Sequence, residues 1–255
     1  MTPSEHSQKH WNALLKRLRH EFPHAAHTPP ASASSLPDLL VHGVLLWEAS
    51  SHQAELAHQR LRAAFIDHNE LRVSMTDDIA IVLGDRYPLA SERAMRLRAV
   101  LNDIFAREHA VILDRLGAVP KRDARSYLLG LDGCPEFAAA YVLLNGLAGH
   151  AAPVDERLTN LLTKAGVFAP GTPPASVASW IEHYVHADEC AAVHAVLRAW
   201  SDKDGHPPAR ERRHTQPVVG EKRPVTASAQ PAPEPQPPRA APKRKPKGVK
   251  GARKT

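Results

Sequence analysis

One carboxylate in this chain stands where it could do chemistry. Asp155 follows an apolar helical stretch and a short loop. It precedes Glu156, then Leu158, Leu161 and Leu162 at helical spacing. A carboxylate there can stabilise developing positive charge or activate a water. The same pattern is a helix N-cap, which contributes about 1 kcal/mol. Residue type and spacing leave both roles open. Upstream, the run Leu131-Asp132-Gly133-Cys134-Pro135-Glu136-Phe137 reads as a tight hairpin opening into that apolar helix.

The other reactive residue types offer less. The chain has 16 histidines. His183 and His186 are three apart and His194 lies further on, but no acid or cysteine completes a recognised zinc spacing. They read as a histidine-rich helix surface, and no metal ligand is assigned. Glu182 and Glu189 carry no pattern. Cys134 reads as a small packing residue of the hairpin rather than a reactive thiol. There is no Gly-rich phosphate loop and no G-x-S-x-G elbow.

The elements that must position Asp155 are all helical in pattern. Residues 6–22 carry Trp11, Leu14, Leu15 and Leu18 on one face, and Pro23 ends the run. Residues 24–35 have loop composition. The apolar run 37–50 reads as a buried helix, since few β-branched residues and no hairpin signal accompany it. A helix capped by Ser50 or Ser51 follows, with Leu56, Leu61, Ala64, Phe65 and Ile66 as its face. Further helices start at Thr76 and Ser91, the latter with Met95, Leu97, Val100, Leu101, Ile104 and Phe105 inward. A short piece spans 111–116, and a helix spans 121–129. After the hairpin and the Asp155 helix come two more, one bearing Trp180 and one spanning about 187–200. About ten helices and no strand predict an all-α domain.

Composition sets the remaining limits. Two cysteines, Cys134 and Cys190, exclude a disulfide framework and an iron–sulfur cluster. A reduced, cytosolic setting is expected, with no secretory signal and no membrane span. Of the 33 Lys and Arg, 14 lie in residues 203–255, against 4 of the 27 Asp and Glu. That stretch carries +10 and the preceding residues −4. Eleven of the 23 prolines also lie there. Such a segment cannot offset its ordering entropy by burial, so a disordered basic tail is expected, with a Pro/Ala spacer and a Lys/Arg end. Lys243, Arg244, Lys245, Lys247 and Lys250 read as non-specific phosphate contacts; the alternative is a solubilising tail. The expected domains are an N-terminal helix and loop (1–35), the helical domain (36–201) and the tail (202–255).

The hairpin and the acid resemble the helix-hairpin-helix DNA glycosylase superfamily, of the endonuclease III type. That family carries Leu-Pro-Gly-Val-Gly-x-Lys-Thr-Ala at its hairpin and Val-Asp-Thr-His before the next helix. Here the counterparts are Leu131 to Ala139 and Val154-Asp155-Glu156-Arg157. The weaker similarity extends over roughly residues 36–200. The resemblance implies a two-lobed helical bundle and duplex DNA contacts at Leu131, Gly133 and Pro135. It also implies a catalytic role for Asp155 in stabilising an oxocarbenium-like sugar or activating water. It implies a monomer acting on cytoplasmic, nucleoid DNA.

The departures restrict that chemistry. Phe137 stands at the position of the lyase lysine, so Schiff-base strand cleavage is not expected. Pro135 replaces the second hairpin glycine and removes one N–H from the phosphate site. The family's inserted glutamine has no counterpart near Glu48 or Ala49. The cluster cysteines are missing, so no cofactor is expected beyond room for a monovalent or divalent cation at the hairpin. The leading expectation is a base-excision-repair DNA glycosylase-like protein, monofunctional if active, with Asp155 assisting glycosidic hydrolysis. The alternatives are a catalytically silent DNA- or lesion-binding module of the same superfamily and a helical protein-interaction domain.

Overall fold

In the computed structural model, residues 5–25 and 35–205 are described. All belong to one compact unit, 1–216, while a second unit, 217–255, holds none of them. Of the predicted tail (202–255), residues 202–205 are described, and the last helix runs on to Asp204; the rest, with Lys243, Arg244, Lys245, Lys247 and Lys250, lies outside the described residues. Eleven α-helices and one 3₁₀ turn make up the described fold, and there is no strand among them.

Helix α1 (Glu5–Glu21) buries Trp11, Leu14, Leu15 and Leu18, as its periodicity predicts. Trp11 meets Trp180 edge-on at 5.5 Å, which ties this helix into the common core. Helix α2 (Leu36–Leu46) is capped by Ser35 and is almost wholly buried. Helix α3 (Ser51–Ala64) opens with a full capping box, Ser50 and Gln53 bonding each other's backbone. Its inward face is Ala54, Ala57 and Leu61, whereas Leu56 and Ile66 are exposed, Ile66 at 94%. The small stripe at i, i+3 and i+7 lets α3 pack closely, and the large residues fall outside the helix or on its far side.

Helix α4 (His68–Val73), capped by Asp67, has no counterpart in the sequence expectation because six residues are too few to show a period. Helices α5 (Thr76–Leu83) and α6 (Ala90–Glu108) follow, with Met95 exposed rather than inward. A 3₁₀ turn (Asp114–Gly117) leads to α7 (Lys121–Leu129), α8 (Glu136–Leu147), α9 (Glu156–Lys164), α10 (Pro174–Tyr184) and α11 (Cys190–Asp204).

Helices α3 to α6 pack on one another, α9 to α11 pack together with α1, and α2 pairs most extensively with α8 between them. Gly43 makes the α2–α8 approach possible. A Cβ there would sit 3.2 Å from Ala138 Cα and 3.3 Å from the Tyr141 ring. The effect is to fix two short connections against each other: the turn after α2 and the loop before α9.

Candidate functional site

The turn after α2 is built from buried polar groups. Glu48 takes a left-handed conformation, φ +57°, and is 1% exposed. A non-glycine residue holds that conformation only where its surroundings over-determine it. Arg93, 0% exposed, donates to Val44 O and Trp47 O and lies over the Tyr87 ring. The Tyr87 hydroxyl donates to Leu45 O at 2.6 Å. Arg198 donates to Ala49 O and to Ser51 Oγ. These side chains hold the last carbonyls of α2, which have no partners within the helix.

Asp155 meets this turn from the other side. It is 2% exposed and is the N-cap of α9. Its Oδ1 accepts the Leu158 N–H at 2.9 Å, and its Oδ2 accepts the Glu48 N–H at 3.2 Å. Arg198 stands 3.7 Å from Oδ2 and pairs also with Asp202. In return, Glu48 Oε1 accepts the Glu156 N–H at 2.8 Å. Asp155 thus holds the Glu48 backbone while Glu48 holds that of Glu156, and the two bonds latch the α2 turn to the start of α9. Both Asp155 oxygens are engaged, and Arg198 supplies the balancing charge that a buried carboxylate needs.

Phe137 is buried against this region, 4% exposed, and stacks on Tyr141 with ring centroids 6.3 Å apart at 11°. A cavity of about 230 Å³ lies beside it, lined by Arg125, Ala140, Val154 and Ala178 among others. Asp155 is not among its lining residues. Tyr141 in turn meets His42 at 5.7 Å and His194 at 6.1 Å. Burial pushes the His42 imidazole down to about 4 and the His194 imidazole down to about 3.

The hairpin is present and its geometry needs glycine. Gly133 has φ +74°, and a Cβ there would approach Ala99 Cβ to 2.9 Å and Arg96 O to 3.1 Å. Leu131 and Pro135 are buried, so they shape the hairpin rather than face a ligand. The Asp132 N–H, on the exposed side, donates to Asp103 Oδ2 at 2.8 Å. Burial works against the Asp103 charge, but that N–H and Arg107 hold its carboxyl below the ordinary range. Cys134 is an inert packing residue, its thiol pushed up to about 12 by burial. The structure therefore places the predicted DNA contacts Leu131, Gly133 and Pro135 in one hairpin at the α8 N-terminus. It places Asp155 behind the α2 turn, away from solvent. His183 and His186 are exposed, as expected.

Sequence reasoning did not find Arg93 or Arg198, whose burial no local pattern betrays. Glu48 carries a faint signal, as an acid closing an apolar run.

No family model matches the sequence, and no curated protein resembles it in sequence. Solved structures do resemble it in fold. An endonuclease III–DNA complex superposes with a TM-score of 0.60 at 14% identity, over 76% of this chain and 85% of that one. The 3-methyladenine DNA glycosylase of H. pylori, bound to 1,N6-ethenoadenine, gives 0.55 at 15% identity, over 75% and 96%. A thermostable thymine-DNA glycosylase gives 0.54 at 14% identity, over 77% and 88%. The chain has the helix-hairpin-helix DNA glycosylase fold.

Proposed function

We propose that this protein is a duplex-DNA-binding module on a glycosylase scaffold that does not cleave the glycosidic bond. The observation that carries the reading is the crossed latch between Asp155 and Glu48. The carboxylate that the fold's chemistry needs is spent on two backbone N–H groups and an arginine. Phe137 cannot act as a nucleophile. The turn that a base-flipping enzyme must drive into the duplex here has its acidic side chain folded inward.

DNA binding is supported by the fold, by related folds solved with DNA, and by the Gly133 hairpin leading into the positive end of α8. Helix termini and backbone N–H groups contact phosphates without reading sequence. The basic residues Lys243, Arg244, Lys245, Lys247 and Lys250 would add salt-sensitive affinity. The complex is expected as one monomer per site.

A second reading, glycosidic hydrolysis assisted by Asp155 without a lyase step, has one observation in its favour. The Glu48 N–H bond to Oδ2 is the longer of the two, at 3.2 Å. Outward movement of the α2 turn on DNA would uncover that oxygen.

The test is to bind the full chain to duplexes carrying a panel of damaged bases, then treat with hot alkali. The proposed reading expects salt-dependent complexes and intact strands. Alkali-dependent scission in the wild type, lost in Asp155→Ala, supports hydrolysis instead. Absence of any complex at low salt removes both readings.

A further inference from the structure

A histidine cluster lies beside Tyr141, built from residues that neither the hairpin nor the Asp155–Glu48 latch contains. His42 projects from α2, and Glu55 and His58 project from α3. Their rings and carboxylate converge, with one nitrogen or oxygen from each lying within 4.8 Å of the others. The two imidazoles approach edge to face, with centroids 5.5 Å apart.

The order of the residues explains why the sequence did not disclose the group. Glu55 and His58 form a Glu-x-x-His pair, which places two ligands on one helix face, as in di-metal helical bundles. The third ligand comes from the preceding helix, across the latched turn. The spacing His42–Glu55–His58 matches no finger or metalloprotease motif, and it forms only when α2 and α3 fold back on each other.

We propose that His42, Glu55 and His58 form a binding site for one divalent transition cation of the zinc class. Two imidazoles and one carboxylate are the protein ligands of a catalytic-type zinc site, which keeps a further position for water or a ligand. Donors bound at about 2.1 Å around one tetrahedral ion stand about 3.4 Å apart. Closing from 4.8 Å takes side-chain rotations of roughly 1 Å per donor and no backbone change.

The surroundings suit a cation. Gln59 donates to Glu55 Oε1 at 2.8 Å and orients that carboxylate. Asp38, one turn before His42, pairs with His68 at 3.1 Å and places negative charge near His58. Gln59 thereby holds one proposed ligand in place, as outer partners of metal ligands do. Glu55 is exposed and the two histidines are half-buried, so an ion can enter from solvent and keep a water. Arg198 and Arg62 lie within electrostatic reach and oppose the cation; the site answers them with Glu55 and Asp38. Imidazole with carboxylate favours zinc, nickel or copper over magnesium or calcium, which take oxygen ligands.

Binding would join α2 to α3 beside the latch and stabilise the fold by mass action. The site is independent of the proposed DNA role.

The test uses the full chain, stripped with chelator, near neutral pH. Zn²⁺ is titrated calorimetrically, Co²⁺ is followed by its visible absorption, and melting is measured with and without zinc. The expected result is one ion per chain at this site, cobalt bands of a nitrogen- and oxygen-ligated centre, and a raised melting temperature. Glu55→Gln and His58→Asn should each weaken binding by about tenfold or more. The double variant His183→Asn/His186→Asn, which removes an exposed pair elsewhere, should leave it unchanged. The proposal is overturned if micromolar zinc does not bind, or if it binds equally well to Glu55→Gln and His58→Asn. Glu55 is exposed, so its variant decides the matter even if His42→Asn fails to fold.

Discussion

Asp155 is at once a helix cap and a buried tertiary contact. Its backbone caps α9, as the pattern Asp-Glu-x-Leu predicts, and that role was legible. What was not legible is the second bond, to an N–H 107 residues away, because no local period reports a tertiary contact. Asp155→Ala should therefore behave as a core lesion. It removes a cap, removes the carboxylate oxygen that the Glu48 N–H donates to and strips Arg198 of a counter-charge. The expected loss is about 3–5 kcal/mol in urea denaturation. A solvent-facing catalytic acid would change stability by less than about 1 kcal/mol or raise it on removal. The same reasoning applies to Phe137. Its position in the hairpin motif implied that no lysine nucleophile stands there. Only the structure shows the ring buried and stacked on Tyr141.

At the scale of elements, ten of the eleven helices could be read from apolar spacing and caps, and the one missed, α4, is a six-residue helix. Errors concentrated in which residues face inward. Met95 and Leu56 are large and apolar yet exposed; for Leu56 the reason is that α3 packs through Ala54 and Ala57 and so turns its bulk outward. Size alone does not choose the face. The hairpin was also legible, since Gly133 is the residue its φ of +74° demands. Its capping by Asp103 from α6 was not. That cap places a carboxylate over a hairpin N–H, the donor on which the proposed phosphate contact draws. Asp103→Ala should uncover the donor, remove a negative charge from the hairpin face, and tighten duplex binding about fivefold at low salt. Fluorescence anisotropy with a labelled duplex reads this directly. An unchanged affinity would place the DNA elsewhere than on the hairpin.

For the whole molecule, the half-buried histidines His42 and His194 make stability depend on pH in a defined direction. The ordinary histidine value is 6.5, and burial lowers His194 to about 3 and His42 to about 4. Above 6.5 both are neutral whether the chain is folded or not, and the fold pays no penalty. As pH falls below 6.5 the unfolded chain takes up protons that the folded chain refuses, so stability is lost progressively toward pH 4. Asp103 and Glu108, held below the usual carboxylate range, lose their contributions only at still lower pH. In chelator-treated protein the urea midpoint should drop between pH 6.5 and 5, and His194→Gln should make that drop shallower. A flat midpoint across this window would show that His194 stays open to protonation in the folded state.

If Asp155 serves as a latch and not as a catalyst, the most direct measurement is alkali-revealed strand scission on damaged duplexes at protein excess, with complex formation followed in the same samples. Retarded complexes and no scission above a protein-free control are expected. Scission that appears with the wild type and disappears in Asp155→Ala, under conditions where that variant is folded, would contradict the latch role.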